Sequence, residues 1–278
     1  MWLYLNDRYS ELLQQNGLKR FTDFMTFSGG RVLKRLPSRT ITKVELPNGG
    51  NMSTFFLKRH ICTVRPAEML RTLLSGFSVS WGRKEWEVIE AFRECGIPTL
   101  TPVAAGEKVS LLRQESFLMT EELTGFQSLE RFLQEYFSPP LPLEKIIEKR
   151  ALIKELADIA KRMHSAGLNH RDFYCCHIFV KLTDDGSREW RVLDLQRVDR
   201  RRFFRKHWII KDLAALNYSA SSQIITKSDR MRFLIHYMDG MDKVRENMPF
   251  IRQIIRKTDR IRRHDNKLKA RRRILTWK

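Results

Sequence analysis

Long apolar runs are missing from this 278-residue sequence. Its longest stretch free of Asp, Glu, Lys and Arg is Leu213–Thr226, 14 residues dotted with Asn, Ser and Gln. A membrane-spanning helix needs about 20 mostly apolar residues, so no transmembrane segment is expected. The start has no apolar core of the secretory kind, because Asp7, Arg8 and Glu11 interrupt it; the chain reads as one kept in the cytoplasm. Cysteine is scarce. Cys62, Cys95, Cys175 and Cys176 form no Cys-x-x-Cys pair and no zinc spacing with histidine, so they read as reduced thiols. Acid is in deficit: 52 Lys and Arg face 32 Asp and Glu, a net charge of +20. That balance points to an anionic partner, whether nucleic acid, nucleotide or an acidic membrane face.

What is present is enough for a large globular body. An apolar content of 42% builds a core and 30% charged residues cover it, which excludes disorder as the main state. The positive excess is uneven. Residues 252–278 hold 12 Lys and Arg against Asp259 and Asp265, half of the net charge in a basic tail. The first 120 residues are rich in strand signals. Phe21–Phe27 and Arg39–Leu46 carry aromatic and β-branched residues, and Asn48-Gly49-Gly50-Asn51 is a turn leading into Ser53–His60. Trp81–Glu94 has helical spacing and stops at Gly96, while Val103–Gly106 and Phe117–Leu123 read as further strands.

After Thr124-Gly125 the period changes. Ser128–Phe137 and Leu143–Ala166 read as helices, the second with Ile146, Ile147, Leu152, Leu156, Ile159 and Met163 on one stripe and Gly167 as its cap. A hairpin, Cys176–Leu182 and Trp190–Leu195 around Asp184-Asp185-Gly186, follows, and the chain from Lys211 is mostly helical. The fold class is therefore α+β: a β-rich lobe over residues 1–124 and a mostly helical lobe over 125–278, with a cleft expected between them.

Three separated pieces carry chemistry. Lys58 ends the apolar strand Phe55-Phe56-Leu57; His170-Arg171-Asp172 lies between the long helix and the hairpin; Asp194 stands in Leu193-Asp194-Leu195 at the hairpin's far end. Phosphoryl transfer needs a cation on the nucleotide phosphates, a base or orienter for the attacking hydroxyl, and a carboxylate on Mg²⁺. Lys58, Asp172 and Asp194 supply these in that order. A helix glutamate must hold the lysine, and Glu85 is preferred over Glu87 and Glu90. Singly, each piece also reads as an edge lysine, a helix cap or a turn aspartate. Their order and their strand, helix and hairpin settings agree, and that agreement favours a kinase-like fold.

The string His164–His177, with His170-Arg171-Asp172-Phe173-Tyr174-Cys175-Cys176-His177 at its heart, resembles the catalytic loop of the lipopolysaccharide kinase (Kdo/WaaP) family. Leu193-Asp194-Leu195-Gln196-Arg197 resembles that family's metal-binding segment, and Lys211–Leu216 with Ser219-Ala220 its following helix. Phe56-Leu57-Lys58, Lys84-Glu85-Trp86 and Thr120-Glu121-Glu122-Leu123 stand upstream in the matching order. The likeness spans roughly residues 20–240. It implies a two-lobed protein-kinase-like fold, use of ATP with Mg²⁺, and phosphorylation of a heptose or Kdo hydroxyl of the lipopolysaccharide inner core at the cytoplasmic face of the inner membrane. On this basis Asp172, Lys58 and Glu85 are the catalytic candidates. Lys58, Gly29, Gly30, Glu121 and Leu123 are the nucleotide-binding candidates, and Asp194 and His177 the metal candidates.

Some positions depart from the general kinase pattern. His177 stands where protein kinases have Asn, either ligating metal or holding Asp194 or a water; imidazole tolerates Mn²⁺ better than an oxygen ligand does. Ser28-Gly29-Gly30 is not a GxGxxG loop and reads nearly as well as a plain turn; Arg31, Lys34, Arg35 and Arg39 beside it read as an exposed basic strand edge in preference to a phosphate-holding group. Only 17 residues separate Asp194 from Asp212, and they include Arg197, Arg200, Arg201, Arg202, Arg205 and Lys206 with only Asp199 opposing. So short a segment favours an anionic glycolipid acceptor over a docked peptide. The competing readings are a protein kinase of the same fold and a nucleic-acid-binding protein with an inert kinase-like body. The basic tail has little aromatic interleaving beyond Trp277, so nucleic acid is the weaker partner; an anionic membrane surface suits the tail as well as a solvated helix end does.

Overall fold

The computed structural model describes residues 1–63, 78, 80–110, 113–201, 203 and 205–275, with side chains as far as 271. The expectations placed on Arg202 and on the last residues of the basic tail, Trp277 among them, lie outside the described residues. The chain divides into two compact units. One comprises residues 1–94 and 98–125, the other 95–97 and 126–278.

The first unit is built on a six-stranded antiparallel sheet. Its strands are β1 (Trp2–Leu5), β2 (Arg31–Leu36), β3 (Arg39–Asn48), β4 (Asn51–Thr63), β5 (Pro102–Val109) and β6 (Arg113–Glu121), in the order β1-β5-β6-β4-β3-β2. Strand β4 lies inside the sheet, so its alternation decides what faces where. Phe55 and Leu57 are buried in a core with Leu13, Leu18, Phe21, Phe24 and Phe117. Lys58 and His60 meet the helix Trp81–Glu94, through Glu85 and Trp81 respectively.

Residues 21–27 depart from the sequence reading. They form helix α2 (Phe21–Thr26), following α1 (Ser10–Gln15), rather than a strand. The apolar spacing Leu18, Phe21, Phe24 has helical period, and the Asp23 carboxylate accepts the Lys19 and Arg20 amides at 3.0 and 2.7 Å, capping the first turn. Packing then fixes the choice, because Phe24 stacks on Phe117 with ring centres 4.4 Å apart. The aromatic content that suggested a strand was answering to the core. Helix Trp81–Glu94, α3, matches its sequence bounds. It approaches β6 closely: the Gly82 amide donates to Ser116 Oγ at 3.1 Å, and a Cβ on Gly82 would lie 2.7 Å from the Phe117 carbonyl oxygen.

The second unit carries α4 (Leu129–Tyr136), α5 (Leu143–Ser165), α6 (Lys206–Ser219), α7 (Lys227–Met238), α8 (Met241–Glu246) and α9 (Met248–Leu275). Small antiparallel ladders sit among them. Strands β9 (Ile178–Leu182) and β10 (Arg188–Val192) form a hairpin extended by β7 (Gln127–Ser128), and β8 (Leu168–Asn169) pairs with β11 (Asp199–Arg200). Leu152, Leu156, Ile159 and Met163 of α5 are buried, but Ile147 is 56% exposed. Lys149 takes the inward place instead, its ammonium 2.9 Å from Asp229 and 3.1 Å from the Ile224 carbonyl. A buried cation is tolerated there because both contacts replace lost water. Among the described residues no helix is long and apolar enough to cross a membrane.

Candidate functional site

The sheet unit contributes an ion pair. Lys58 is not a strand-end residue as its sequence context suggested; it stands inside the 13-residue β4, opposite Ile41 on one side and Leu118 on the other. Its ammonium lies 2.6 Å from Glu85 Oε1, with the lysine side chain 17% exposed and the glutamate 1%. The other two candidate glutamates of the helix, Glu87 and Glu90, are engaged elsewhere. Glu87 accepts from the Ser78 amide and from Arg83 Nε, and Glu90 pairs with Arg93. Beside the pair, burial pushes the His60 imidazole down to about 4, with Glu85 raising it and Arg39 and Lys58 lowering it.

The glycine pair stands apart from the hairpin that joins β2 to β3. That turn is Pro37-Ser38, while Gly29 and Gly30 precede β2. Gly30 has φ +96°, and a Cβ there would lie 2.3 Å from the Lys43 carbonyl oxygen, so backbone geometry alone requires glycine. The flanking strand β2 is an exposed sheet edge throughout. Glu121 ends β6 and its carboxylate accepts from the Tyr9 hydroxyl; its amide donates to Thr101 at 3.2 Å. Leu123 follows in the irregular segment beyond that strand.

In the helical unit the catalytic-loop string is held by its backbone. Helix α5 ends at Ser165, and Gly167 turns the chain at φ +81° where a Cβ would lie 2.8 Å from the Arg201 carbonyl oxygen. The Asp212 carboxylate, fully buried on α6, accepts the His170 and Arg171 amides at 2.7 Å each. Arg171 consequently sits at φ +70°, a conformation rare outside glycine that persists only where neighbours enforce it. The His170 ring is buried and Nε2 donates to the Leu193 carbonyl at 2.9 Å, tying the loop to the segment before Asp194; burial lowers the pKa of this imidazole.

Three candidates meet here. His177 Nδ1 donates to the Asp172 carbonyl at 2.8 Å, because a carbonyl can only accept. The Nε2 lone pair is therefore the one that points away, and Nε2 lies 3.7 Å from Asp194 Oδ2. Asp194 itself adopts a left-handed conformation, φ +57° and ψ +54°, and its side chain is 46% exposed. A separation of 3.7 Å is long for a hydrogen bond. It can be spanned by one cation with two ligand bonds of about 2.1 Å. The donor set, one carboxylate and one neutral imidazole, suits Mg²⁺ or Mn²⁺ with phosphate and water completing the shell. Among the described residues no cluster of three or more His, Cys, Asp or Glu surrounds a common point.

The Asp172 carboxylate faces two cations, Arg197 from the basic segment and Lys211 from the helix that follows it. Arg197 Nη1 donates to both of its oxygens, at 3.0 and 2.8 Å, and the Lys211 ammonium stands 3.9 Å away. Asp199, the one acid between Arg197 and Lys206, is buried to 1% and accepts from Asn169 Nδ2 at 3.1 Å and Arg201 Nε at 2.9 Å, with Arg171 at 3.6 Å. It fixes the segment after Asp194 from within. A lone acid among six cations was the sequence signal for this role. Trp208 was not singled out by the sequence reading, yet Arg171, Arg201 and Lys211 all lie over its ring, at 4.4, 5.1 and 5.7 Å.

The comparisons with known proteins agree with one another. The sequence model of the lipopolysaccharide kinase (Kdo/WaaP) family matches residues 53–237. A Pseudomonas aeruginosa protein named lipopolysaccharide core heptose(I) kinase WaaP is 38% identical over 214 residues, spanning 75% of this chain and 76% of its own length. An Escherichia coli protein of the same name is 32% identical over 240 residues, spanning 84% and 88%. A solved structure described as WaaP in complex with acyl carrier protein aligns over 94% of this chain and 99% of its own, with a TM-score of 0.71 and 31% identity. The fold is kinase-like, mixed α and β with a six-stranded antiparallel sheet. By sequence and by fold, the chain belongs to the lipopolysaccharide kinase (Kdo/WaaP) family.

Proposed function

We propose that the chain is an ATP-dependent kinase that transfers the γ-phosphoryl group to a sugar hydroxyl, a heptose, of the lipopolysaccharide inner core. Family membership and the names of the relatives supply the substrate class. The observation that carries the chemistry is the Asp172, His177 and Asp194 arrangement, in which one hydrogen bond fixes the imidazole tautomer and aims Nε2 at a carboxylate. Asp172 accepts the hydrogen bond of the attacking hydroxyl and orients it; Arg197 holds the carboxylate without using all its lone pairs. Lys58, kept in place by Glu85, binds nucleotide phosphate. Glu121 and Leu123 offer backbone groups to the base, and Gly29 and Gly30 contribute to the nucleotide site. Asp194 and His177 hold Mg²⁺ or Mn²⁺, which when bound neutralises charge on the β- and γ-phosphates.

The short segment after Asp194 supports a glycolipid acceptor over a peptide. It holds a single helical turn (Leu195–Arg197) and the two-residue strand β11, and helix α6 begins at Lys206. We place the enzyme at the inner face of the inner membrane, with the cationic α9 against anionic lipid. Because the solved WaaP relative is bound to acyl carrier protein, that protein joins the proposed partners. The test offers core lipopolysaccharide, a peptide mixture or no acceptor with γ-labelled ATP to the wild-type chain and to Asp172→Asn. Label in core lipopolysaccharide that falls about 10²–10⁴-fold in the variant is expected, the scale of a positioned base. Asp172-dependent label in peptide, with the glycolipid unlabelled, overturns the reading in favour of a protein kinase.

A further inference from the structure

The residues after Asp172 supply no cation. Phe173, Tyr174, Cys175 and Cys176 separate it from His177, and the next lysine or arginine is Lys181. A phosphoryl group in flight carries charge on its three equatorial oxygens, and kinases stabilise it mainly with positioned cations and donors. Within the helical unit two cations reach the Asp172 carboxylate from elsewhere, and they differ. Arg197 is hydrogen-bonded to Asp172, with Nη1 on both carboxylate oxygens. Lys211 is 3.9 Å from Asp172 Oδ1, beyond hydrogen-bond distance, and makes no hydrogen bond with any described residue.

Its position is nevertheless fixed. Lys211 is the neighbour of Asp212, whose carboxylate is bonded to the amides of His170 and Arg171, so α6 is registered to the catalytic loop at the level of the backbone. The lysine's ammonium is braced over Trp208. Its side chain is only 20% exposed, and burial with Arg197 and Arg171 nearby lowers its pKa against the opposing pull of Asp172 and Asp212. A largely buried ammonium close to a carboxylate but not hydrogen-bonded to it keeps its donors for another acceptor, and oxyanions are what it suits.

We propose that Lys211 is a catalytic residue that donates hydrogen bonds to the oxygens of the phosphoryl group being transferred, next to the hydroxyl held by Asp172. The proposal rests on the kinase reading above. In the step, the acceptor oxygen bonds to the γ-phosphorus as the bond from that phosphorus to the β,γ-bridging oxygen breaks. The electron pair leaves on the β-phosphate of ADP and the hydroxyl proton passes to Asp172. Lys211 keeps its protons throughout.

The test compares wild type, Lys211→Met and Lys211→Arg in two assays. Calorimetry measures binding of ADP with Mg²⁺, alone and with aluminium fluoride as the planar phosphoryl mimic. Steady-state kinetics measure transfer to core lipopolysaccharide. Lys211→Met is expected to bind ADP like wild type, to lose at least about 10-fold of the tightening due to aluminium fluoride, and to lose about 10²–10³-fold in kcat with both KM values little changed. Lys211→Arg should recover part of both losses. Retained tightening with a raised acceptor KM and normal kcat would mean that Lys211 serves an anionic group of the acceptor, and overturns the proposal. Parallel loss of ADP affinity, activity and thermal midpoint overturns it too, as a structural role. A wild-type chain that shows Lys211-dependent tightening but leaves the glycolipid unlabelled keeps Lys211 and rejects the acceptor. A wild-type chain that binds aluminium fluoride no more tightly than ADP alone rejects both.

Discussion

Replacing Lys58 by Ala should damage folding as well as nucleotide use, and the two effects can be separated. The ammonium is 17% exposed and its partner Glu85 1%, with 2.6 Å between charged atoms. Breaking a buried pair from one side costs about 3–5 kcal/mol, because the remaining charge keeps its desolvation penalty without its partner. The lysine retains some solvent contact, so the lower end, about 3 kcal/mol, is appropriate. The alternative for the variant is to bind a proton at Glu85. From an ordinary glutamate value of about 4.3 to pH 7 that costs about 3.7 kcal/mol, which sets a ceiling of the same size. Urea unfolding of the full chain should therefore show about 3 kcal/mol lost in Lys58→Ala. Most of it should return in Lys58→Ala/Glu85→Gln, where a neutral amide replaces the stranded carboxylate. Nucleotide affinity should not return in the double variant, since the cation is still absent. A Lys58→Ala chain that loses less than about 0.5 kcal/mol would show that the pair is not desolvated and would refute the reasoning.

Asp194→Asn should abolish phosphoryl transfer at any Mg²⁺ concentration while the thermal midpoint stays put, because a hard cation loses its anionic oxygen at a half-exposed position; transfer restored by excess Mg²⁺ would reject the ligand role. His177→Asn should keep activity and shift the preference from Mn²⁺ towards Mg²⁺, and a folded but inactive variant would assign the imidazole a different duty. His60, depressed to about 4 by burial, stays neutral in the fold while an unfolded histidine binds a proton below about 6.5. Stability is then fully present above pH 6.5 and falls as pH drops towards 4, by about 3 kcal/mol in all; the slope in that window should shrink in His60→Gln, measured by urea unfolding at a series of pH values, and an unchanged slope contradicts the assignment. Sedimentation with anionic vesicles should require low salt and the 252–278 tail; binding indifferent to 0.5 M salt or to removal of the tail rejects the electrostatic attachment.

The order of Lys58, Glu85, Asp172, His177 and Asp194 along the chain pointed to the family that the comparisons show. Each of these residues lies in a segment whose period and turn residues reveal its local structure. Helix Trp81–Glu94, the Asn48–Asn51 turn and the Asp184-Asp185-Gly186 hairpin were legible for that reason, being set by neighbours in sequence. Where the outcome rested on distant partners, local propensity misled. Phe21 and Phe24 form a helix because Phe117, nearly a hundred residues on, offers a ring to stack against. Ile147 points out and Lys149 points in because Asp229 and the Ile224 carbonyl wait in the core. Only tertiary structure could engage Arg197 with Asp172, bury Asp199 as the counter-charge of its own segment, and leave Lys211 beside Asp172. A charge run in a sequence records how many cations there are; the distances that make one a clamp and another a free donor arise when Asp212 locks a helix onto a loop forty residues before it.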